Sequence, residues 1–165
     1  MKRLWRFMAG VAAAALLAGC YPDLDWRTLT SAVGRFSVLM PARSQEDSRP
    51  IAEGAVMHQW ATRAQDALFA AGYVDYPDAA ASHMATVQAA FVAKGGKLAG
   101  ERGIQQEGLT GRAFSIGYPG DNTPVLYVRL LAADHRLYQM VVLSHDGKPG
   151  KDDLDLFFDS FRLAK

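Results

Sequence analysis

The sequence is poor in the features that cysteine-dependent or strongly charged proteins need. One of its 165 residues is a cysteine, so neither an internal disulfide nor a cysteine-cluster zinc site can form. Basic side chains number 18 and acidic ones 17. This balance disfavours nucleic acid as a main partner, because a phosphate-binding surface needs a clear basic excess. Half of the residues are apolar, which indicates a folded domain and not a disordered chain.

Residue patterns typical of catalysis or metal binding are also missing from the sequence. No G-x-S-x-G elbow is present, and no pair of histidines has a metal-ligand spacing among His58, His83, His135 and His145. The run 146–155 suggests calcium, but Lys148 and Gly150 stand where an EF-hand needs oxygen ligands. We therefore interpret Asp152 and Asp153 as acids at a helix N-terminus. We predict no catalytic residue, no metal and no cofactor.

The first twenty residues differ in composition from the rest of the chain. Residues 1–19 carry Lys2, Arg3 and Arg6 and no acid, and an apolar run of 12 residues extends from Phe7 to Ala18. A membrane-spanning helix needs about 20 apolar residues, so this run is too short for a permanent anchor. A basic start, a short apolar run and small residues after it are typical of a secretory signal peptide.

Leu17-Ala18-Gly19-Cys20 resembles the lipobox of bacterial lipoproteins, and the only cysteine of the chain stands at its last position. The resemblance implies that the Cys20 thiol receives a diacylglyceryl group. Signal peptidase II then cuts between Gly19 and Cys20, and the new amino group of Cys20 is acylated. The alternative is a plain secretory signal with a chance cysteine. Attachment through two or three acyl chains would be effectively permanent, whereas one chain binds only marginally.

Cleavage after Gly19 would leave 146 residues with 15 basic and 17 acidic side chains. The resemblance places this mature chain in the bacterial cell envelope, facing the periplasm. An Asp after the cysteine retains lipoproteins of enterobacteria in the inner membrane, so Tyr21 favours the outer membrane. We expect a lipidated tether over residues 20–25 and a single domain over 26–165. Within the tether, the five residues from Tyr21 to Asp25 span at most roughly 17 Å, which would hold the domain close to the lipid.

Alternation and turn signals predict one α+β domain with a central antiparallel sheet flanked by helices. We predict a short helix over 25–32, a strand over 35–40 and a loop over 43–50. A hairpin of two strands turns near Gln65-Asp66, and apolar residues on both sides of its second strand suggest cover on both faces. The further elements are a helix with Asp78 as N-cap, strands over 97–106, 111–118, 125–132 and 136–144, and a helix over 152–161.

The order of these motifs resembles the PsbP-like superfamily, which includes DcrB-like lipoproteins. The likeness covers residues 33–163 and is carried by six segments in order: 34–41, the hairpin, a helix, 111–114, 136–140 and 157–161. It implies an antiparallel sheet flanked by helices. The superfamily includes photosystem assembly subunits, a small-GTPase-binding protein and many members of unknown role, and it has no shared catalytic residues to transfer.

Two arginines alternate onto apolar strand faces, and each has a tyrosine on its own face. They either anchor a binding groove or pack their apolar stems at a sheet end with their heads in water. The candidate binding surface consists of Arg112, Tyr118, Tyr127 and Arg129. We expect a non-enzymatic, lipid-anchored module with a possible envelope-protein partner. The alternatives are a carrier with an apolar pocket between the sheet and the helix at 78–94, or an unrecognised hydrolase.

Overall fold

A computed structural model describes residues 24–51, 54–121 and 123–164. Within them, the two α-helices are α1 (Met84–Val92), which follows a 3-10 turn (Ala80–His83), and α2 (Lys151–Asp159). The strands are β1 (Arg27–Ser31), β2 (Phe36–Met40), β3 (Gln45–Pro50), β4 (Val56–Ala64), β5 (Ala67–Asp75), β6 (Lys97–Gln106), β7 (Leu109–Gly117), β8 (Val125–Ala133), β9 (Arg136–Ser144) and β10 (Arg162–Leu163). Neither of these nine-residue helices has the length to cross a bilayer.

The strands form one large and one small antiparallel sheet. The large sheet has seven strands in the order β3-β4-β5-β9-β8-β7-β6, and the small one has the order β1-β2-β10. Tight turns join β6 to β7, β8 to β9 and β4 to β5, which explains why these strands pair with their sequence neighbours. The antiparallel connections predicted from the turn signals are therefore confirmed, and so is the α+β class.

Each face of the seven-stranded sheet has its own core. The small sheet and α2 cover one face, which we call the α2 face, and α1 covers part of the other, the α1 face. Buried side chains on the α2 face include Phe36, Phe69, Met140, Val142, Phe157 and Phe161. Those on the α1 face include Val74, Phe114, Ile116, Val128, Leu130 and Leu137. The alternation of each strand divides its apolar residues between the two cores.

The sheet has two ends, which we name after a residue at each. At the Leu24 end lie the start of the described chain, the turn at 65–66 and the loops 118–124 and 145–150. The amide of Asp25 donates to the carbonyl of Pro41 (2.7 Å), and Trp26 packs edge-on against Phe69. The Asp134 end holds the turns at 32–35, 107–108 and 134–135. Leu24 is itself buried.

The predicted helix over 25–32 is wrong, because these residues form β1. Arg27 to Ser31 pair with Met40 to Phe36 of β2. The side chains of Leu29 and Ser31 turn inward while those of Thr28 and Thr30 stay exposed, which is a strand period of two. The β-branched threonines also favour a strand.

The predicted loop over 43–50 is wrong over residues 45–50, which form β3. Every residue of β3 is exposed, because it is an outer strand that pairs only with β4. A strand with both faces in water has no hydrophobic alternation, so its sequence resembles that of a loop.

The prediction of Asp78 as a helix N-cap is also wrong. The 3-10 turn begins at Ala80 and α1 at Met84, and neither has a side-chain cap. The Asp78 carboxylate instead accepts a hydrogen bond from Nε2 of His83 (2.5 Å). The helix predicted at the C-terminal end is confirmed, although α2 ends at Asp159 and residues 162–163 pair with β2.

Both outer strands of the large sheet carry features that discourage pairing with another chain. On β3 these are Glu46, Asp47, Arg49 and a terminal Pro50. On β6 the register shifts between Ala99 and Arg102, where Gly100 has a φ of +60°. Charges, proline and an irregular register at an edge all oppose addition of a further strand.

Candidate functional site

Arg129, one of the four predicted surface residues, fastens α2 to the sheet. Its Nη1 lies 2.8 Å from Oε1 of Gln106, 3.1 Å from the Phe158 carbonyl and 2.9 Å from Oδ1 of Asp159. The guanidinium also lies over the Phe158 ring, 5.1 Å from its centroid. Phe158 and Asp159 are in the last turn of α2, where carbonyl groups lack helical partners and favour a cation. Arg129 therefore acts on the helix terminus, with its side chain mostly buried.

Arg112 and Tyr118 perform the same task for α1. Nη1 of Arg112 donates to Oε1 of the buried Gln88 in the middle of α1 (2.8 Å) and to Oε1 of Glu101 on β6 (3.0 Å). The Tyr118 hydroxyl donates to the carbonyl of Phe91 in the last turn of α1 (3.1 Å). Burial raises the pKa of the Tyr118 hydroxyl above its ordinary value.

The four predicted residues do not form one surface. Arg112 and Tyr118 lie on the α1 face, while Arg129 and Tyr127 lie on the α2 face, where Tyr127 packs against the core. The sheet separates the two pairs. The sequence allows the arginines either to anchor a binding groove or to pack their apolar stems against the sheet. Their positions agree with packing, and three of the four side chains fasten helices to the sheet.

A second buried arginine cluster was not predicted from the sequence. Arg136 of β9 makes two hydrogen bonds to the Asp75 carboxylate of β5, of 2.6 and 2.7 Å, and one to the Val33 carbonyl. It lies over the Tyr73 ring, 4.2 Å from the centroid. The hydrogen bond with Asp75 raises the pKa of Arg136. Burial raises the pKa of Tyr73, against the influence of Arg136. The cluster ties the β1–β2 turn to the sheet, and pairing of β5 with β9 was the signal that could have located it.

Histidines cluster around Asp78 at the Asp134 end. His83 stacks on Tyr76 with 3.8 Å between ring centroids, and Nδ1 of His135 donates to the Asp78 carbonyl (2.9 Å). The hydrogen bond from His83 lowers the pKa of the Asp78 carboxyl. Two histidines and one carboxylate thus hold the entry to the 3-10 turn.

One serine–histidine pair resembles part of a hydrolytic site. Oγ of Ser48 on β3 lies 2.8 Å from Nδ1 of His58 on β4, because the two residues face each other across the strand pair. The His58 ring stacks on Tyr73, and no carboxylate within the described residues bonds to it. A nucleophile and base without the third group that orients the base do not make a triad.

Among the residues that the structure describes, no cluster of three or more His, Cys, Asp or Glu side chains is placed to hold a metal ion. In the stretch that suggested calcium, α2 begins at Lys151 after Gly150. Asp152 and Asp153 stand in its first turn without side-chain caps, where the helix dipole favours acids.

An open groove with a volume of about 690 Å³ lies between α2 and the small sheet. Its apolar floor comes from Val38, Leu39 and Leu156. Asp155 and Asp159 on its wall already pair with Lys151 and Arg129. The groove therefore combines apolar and acidic surface without a preformed set of free ligands.

The apolar pocket expected between the sheet and the helix at 78–94 is filled by side chains. Met84, Val87, Phe91 and Val92 of that segment pack against the core of the α1 face. Phe91 and Phe114 approach to 6.4 Å between ring centroids. The helix thus contributes to the core in the place where the carrier hypothesis needs a cavity.

Two predicted site residues, Gly19 and Cys20, lie outside the described residues, as does the whole signal-peptide segment 1–19. Their assignment stays a prediction.

Comparisons with known proteins show the fold and leave the family open. No protein-family profile matches the chain, and no curated protein matches it. The solution structure of cyanobacterial PsbP (CyanoP) from Synechocystis sp. PCC 6803 is similar, with a TM-score of 0.56 and 13% identity over 88% of this chain and 95% of that one. A protein of Bacteroides thetaiotaomicron gives a TM-score of 0.44 and 10% identity over 84% of this chain and 48% of that one. The fold is therefore PsbP-like.

Proposed function

We propose that this protein is a lipid-anchored component of the bacterial cell envelope. The observation that carries the proposal is the sequence Leu17-Ala18-Gly19-Cys20, preceded by a basic start and a short apolar run. Residues 1–19 act as the signal peptide, Cys20 is the residue that carries the lipid, and the domain faces the periplasm. Tyr21 favours transfer to the outer membrane.

We further propose that the folded part is a non-enzymatic binding or assembly module. The PsbP-like fold supports this, together with the positions of the polar side chains that sequence patterns single out. Arg112, Arg129 and Tyr118 are engaged in holding helices. The Ser48–His58 pair has no acid partner among the described residues. An envelope protein is the proposed partner, and the groove beside α2 has room for a partner segment.

The lipid anchor is tested by replacing the thiol that would carry it. In cells fed radiolabelled palmitate, the wild-type protein should incorporate label, and Cys20→Ala should lose it and stay unprocessed or leave the membrane fraction. Tyr21→Ala is the matched control, because it changes the next residue and keeps the thiol. Palmitate incorporation and normal membrane retention in Cys20→Ala would refute the lipobox interpretation.

A further inference from the structure

Part of the α1 face is apolar but only partly buried. On β5 and β9, the residues that point to the α2 face are fully buried: Phe69 and Val142 are 0% exposed, and Ala71 and Met140 are 1% exposed. Their neighbours on the α1 face are only partly buried. We call this surface the open face, and it consists of Ala61, Leu68, Ala70, Val141 and Leu143.

The path of α1 explains why this surface is uncovered. The 3-10 turn before α1 is held at the Asp134 end, where the amide of Ala80 donates to the Asp134 carbonyl (2.7 Å). From there α1 runs over β7, and its chain continues into β6. Among the described residues, Leu68 and Ala70 belong to neither buried core, whereas Val141 and Leu143 pack against the margin of the α1-face core. The cover predicted for both faces of β5 is thus complete on the α2 face and partial on the α1 face.

Cross-strand pairing makes the open face continuous. Leu68 lies opposite Leu143, and Ala70 lies opposite Val141 on one side and Ala61 on the other. Side chains paired directly across antiparallel strands are about 4.5–5.5 Å apart at Cβ. Apolar side chains left in contact with water over such a surface favour a partner that removes the water.

The open face lies at the end of the sheet where the chain enters. Leu68 follows the first residue of β5, and Leu143 precedes the last residue of β9, both at the Leu24 end. Three residues lie between Cys20 and Leu24, which limits the distance between the Cα atoms of Cys20 and Leu24 to about 14 Å. A domain held by acyl chains on Cys20 must therefore keep this end beside the bilayer.

The charge next to the open face suits an anionic lipid surface, while the Leu24 end as a whole is nearly balanced. This end contains six acidic residues (Asp25, Asp66, Asp121, Asp146, Asp152 and Asp153) and seven basic ones (Arg27, Arg43, Arg63, Lys94, Lys97, Lys148 and Lys151). Within the described residues, Arg63 lies directly opposite Leu68 of the open face and belongs to no ion pair. Basic side chains beside an apolar surface are attracted to anionic headgroups.

We propose that the open face seats against the bilayer surface, with Leu68 and Leu143 at the lipid boundary and Arg63 at the headgroups. The proposal rests on the lipid anchor at Cys20 and adds an orientation to it. The domain lies on the membrane through its α1 face at the Leu24 end. The α2 face, with its groove, then points away from the lipid and stays open to a protein partner.

The test uses a single thiol in the full, lipidated protein. Because the proposed anchor consumes the only native cysteine, Leu68→Cys or Leu143→Cys supplies the one free thiol for an environment-sensitive dye. The labelled protein is reconstituted into vesicles of phosphatidylethanolamine and phosphatidylglycerol. We expect these dyes to lose most of their quenching by iodide and to become quenched by brominated lipid. Ala70→Cys, a smaller change in packing, serves if Leu68→Cys fails to fold.

Two control positions make the result specific. Asp134→Cys at the opposite end and Leu156→Cys on α2, whose side chain is 41% exposed on the opposite face, should stay open to iodide. Equal iodide quenching at Leu68 and Asp134 in membrane-bound, palmitate-labelled protein would overturn the orientation and leave the anchor intact. Absence of palmitate label would overturn the anchor, and the orientation with it. Loss of iodide quenching at Leu68 without quenching by brominated lipid would show that a second copy, and not lipid, covers this surface, and would also overturn the orientation.

Discussion

At the scale of single residues, the sheet supplies the side chains that complete the ends of both helices. Arg129 reaches the last turn of α2, and Tyr118 reaches the last turn of α1. A helix leaves its last four carbonyl groups without helical partners, and a buried carbonyl without a partner costs free energy. Arg129 and Tyr118 therefore contribute more to the free energy of folding than their positions in the sequence suggest.

Arg129→Ala should lower the free energy of unfolding by about 2–3 kcal/mol, because hydrogen bonds from a charged donor to buried acceptors are lost. Arg129→Lys should restore part of it, since a lysine reaches one acceptor but lacks the planar guanidinium. The control is Arg27→Ala, which removes an exposed pair with Asp25 and should cost less than about 0.5 kcal/mol. Urea unfolding followed by tryptophan fluorescence measures all three. Equal losses for Arg129→Ala and Arg27→Ala would contradict the assignment.

Tyr118 predicts a dependence of stability on alkaline pH. Its folded-state pKa is raised above the ordinary value of 10.0, so folding favours the neutral phenol. The resulting stabilisation is complete below pH 10 and is lost as the pH rises through the folded-state pKa. Unfolding free energies measured from pH 8 upward should therefore fall less steeply above pH 10 in Tyr118→Phe than in the wild type. Parallel curves of unfolding free energy against pH for the two proteins would argue against this contribution of Tyr118.

At the scale of elements, two glycines on neighbouring strands should respond oppositely to the same substitution. A Cβ on Gly111 of β7 would stand 2.0 Å from the Leu130 carbonyl oxygen, whereas one on Gly103 of β6 would meet nothing within 4 Å. Gly111→Ala must therefore move β7 away from β8.

We expect Gly111→Ala to destabilise by about 1–3 kcal/mol, as overpacking does. Gly103→Ala should be neutral or stabilise by up to about 1 kcal/mol, because alanine loses less conformational entropy in a strand. Thermal unfolding of both variants measures the difference, and a Gly111→Ala protein with an unchanged Tm would be inconsistent with the packing of β7 against β8.

The same scale shows what the sequence could and could not predict. The hairpin of β4 and β5 and the pair of β8 and β9 were predictable, because their alternation is strong and their turns are short. The strand β3 was not, because an outer strand with both faces in water has no apolar period. The strand β1 was misjudged as a helix, because Trp26 and Leu29 are three residues apart and their partner β2 is only visible in three dimensions.

The candidate site was predictable to a smaller degree. Alternation correctly placed Arg112 and Arg129 among apolar neighbours, but it could not show that they lie on opposite faces of one sheet. That depends on the pairing of Arg112 with Leu130 and of Ala113 with Arg129, hence on register. The Asp75–Arg136 pair joins residues 61 positions apart, so no local pattern could reveal it. The lipobox, by contrast, is a local pattern that the sequence shows directly, since its residues are consecutive.

At the scale of the whole molecule, the two cores should unfold together because they share every central strand. Phe157 is fully buried in the α2-face core, and Phe157→Ala should cost about 3–5 kcal/mol. The neighbouring Leu156 is 41% exposed, so Leu156→Ala is the matched control with a much smaller loss.

In Phe157→Ala, tryptophan fluorescence from Trp26 and Trp60 on the α2 face should change at the same urea concentration as hydrogen exchange in α1 on the other face. Coincident transitions are the mark of one cooperative unit. An earlier fluorescence transition would show that the faces unfold separately.

The guarded edges of the large sheet have a further consequence if the anchor is as proposed. Lipoproteins held in one leaflet diffuse in two dimensions, collide often and share a common orientation, which are conditions that promote polymerisation of open sheets. The charges and proline of β3 and the irregular register of β6 oppose strand addition from a neighbouring copy. The same edges that limit the sheet to seven strands would thus keep a crowded membrane population as separate molecules.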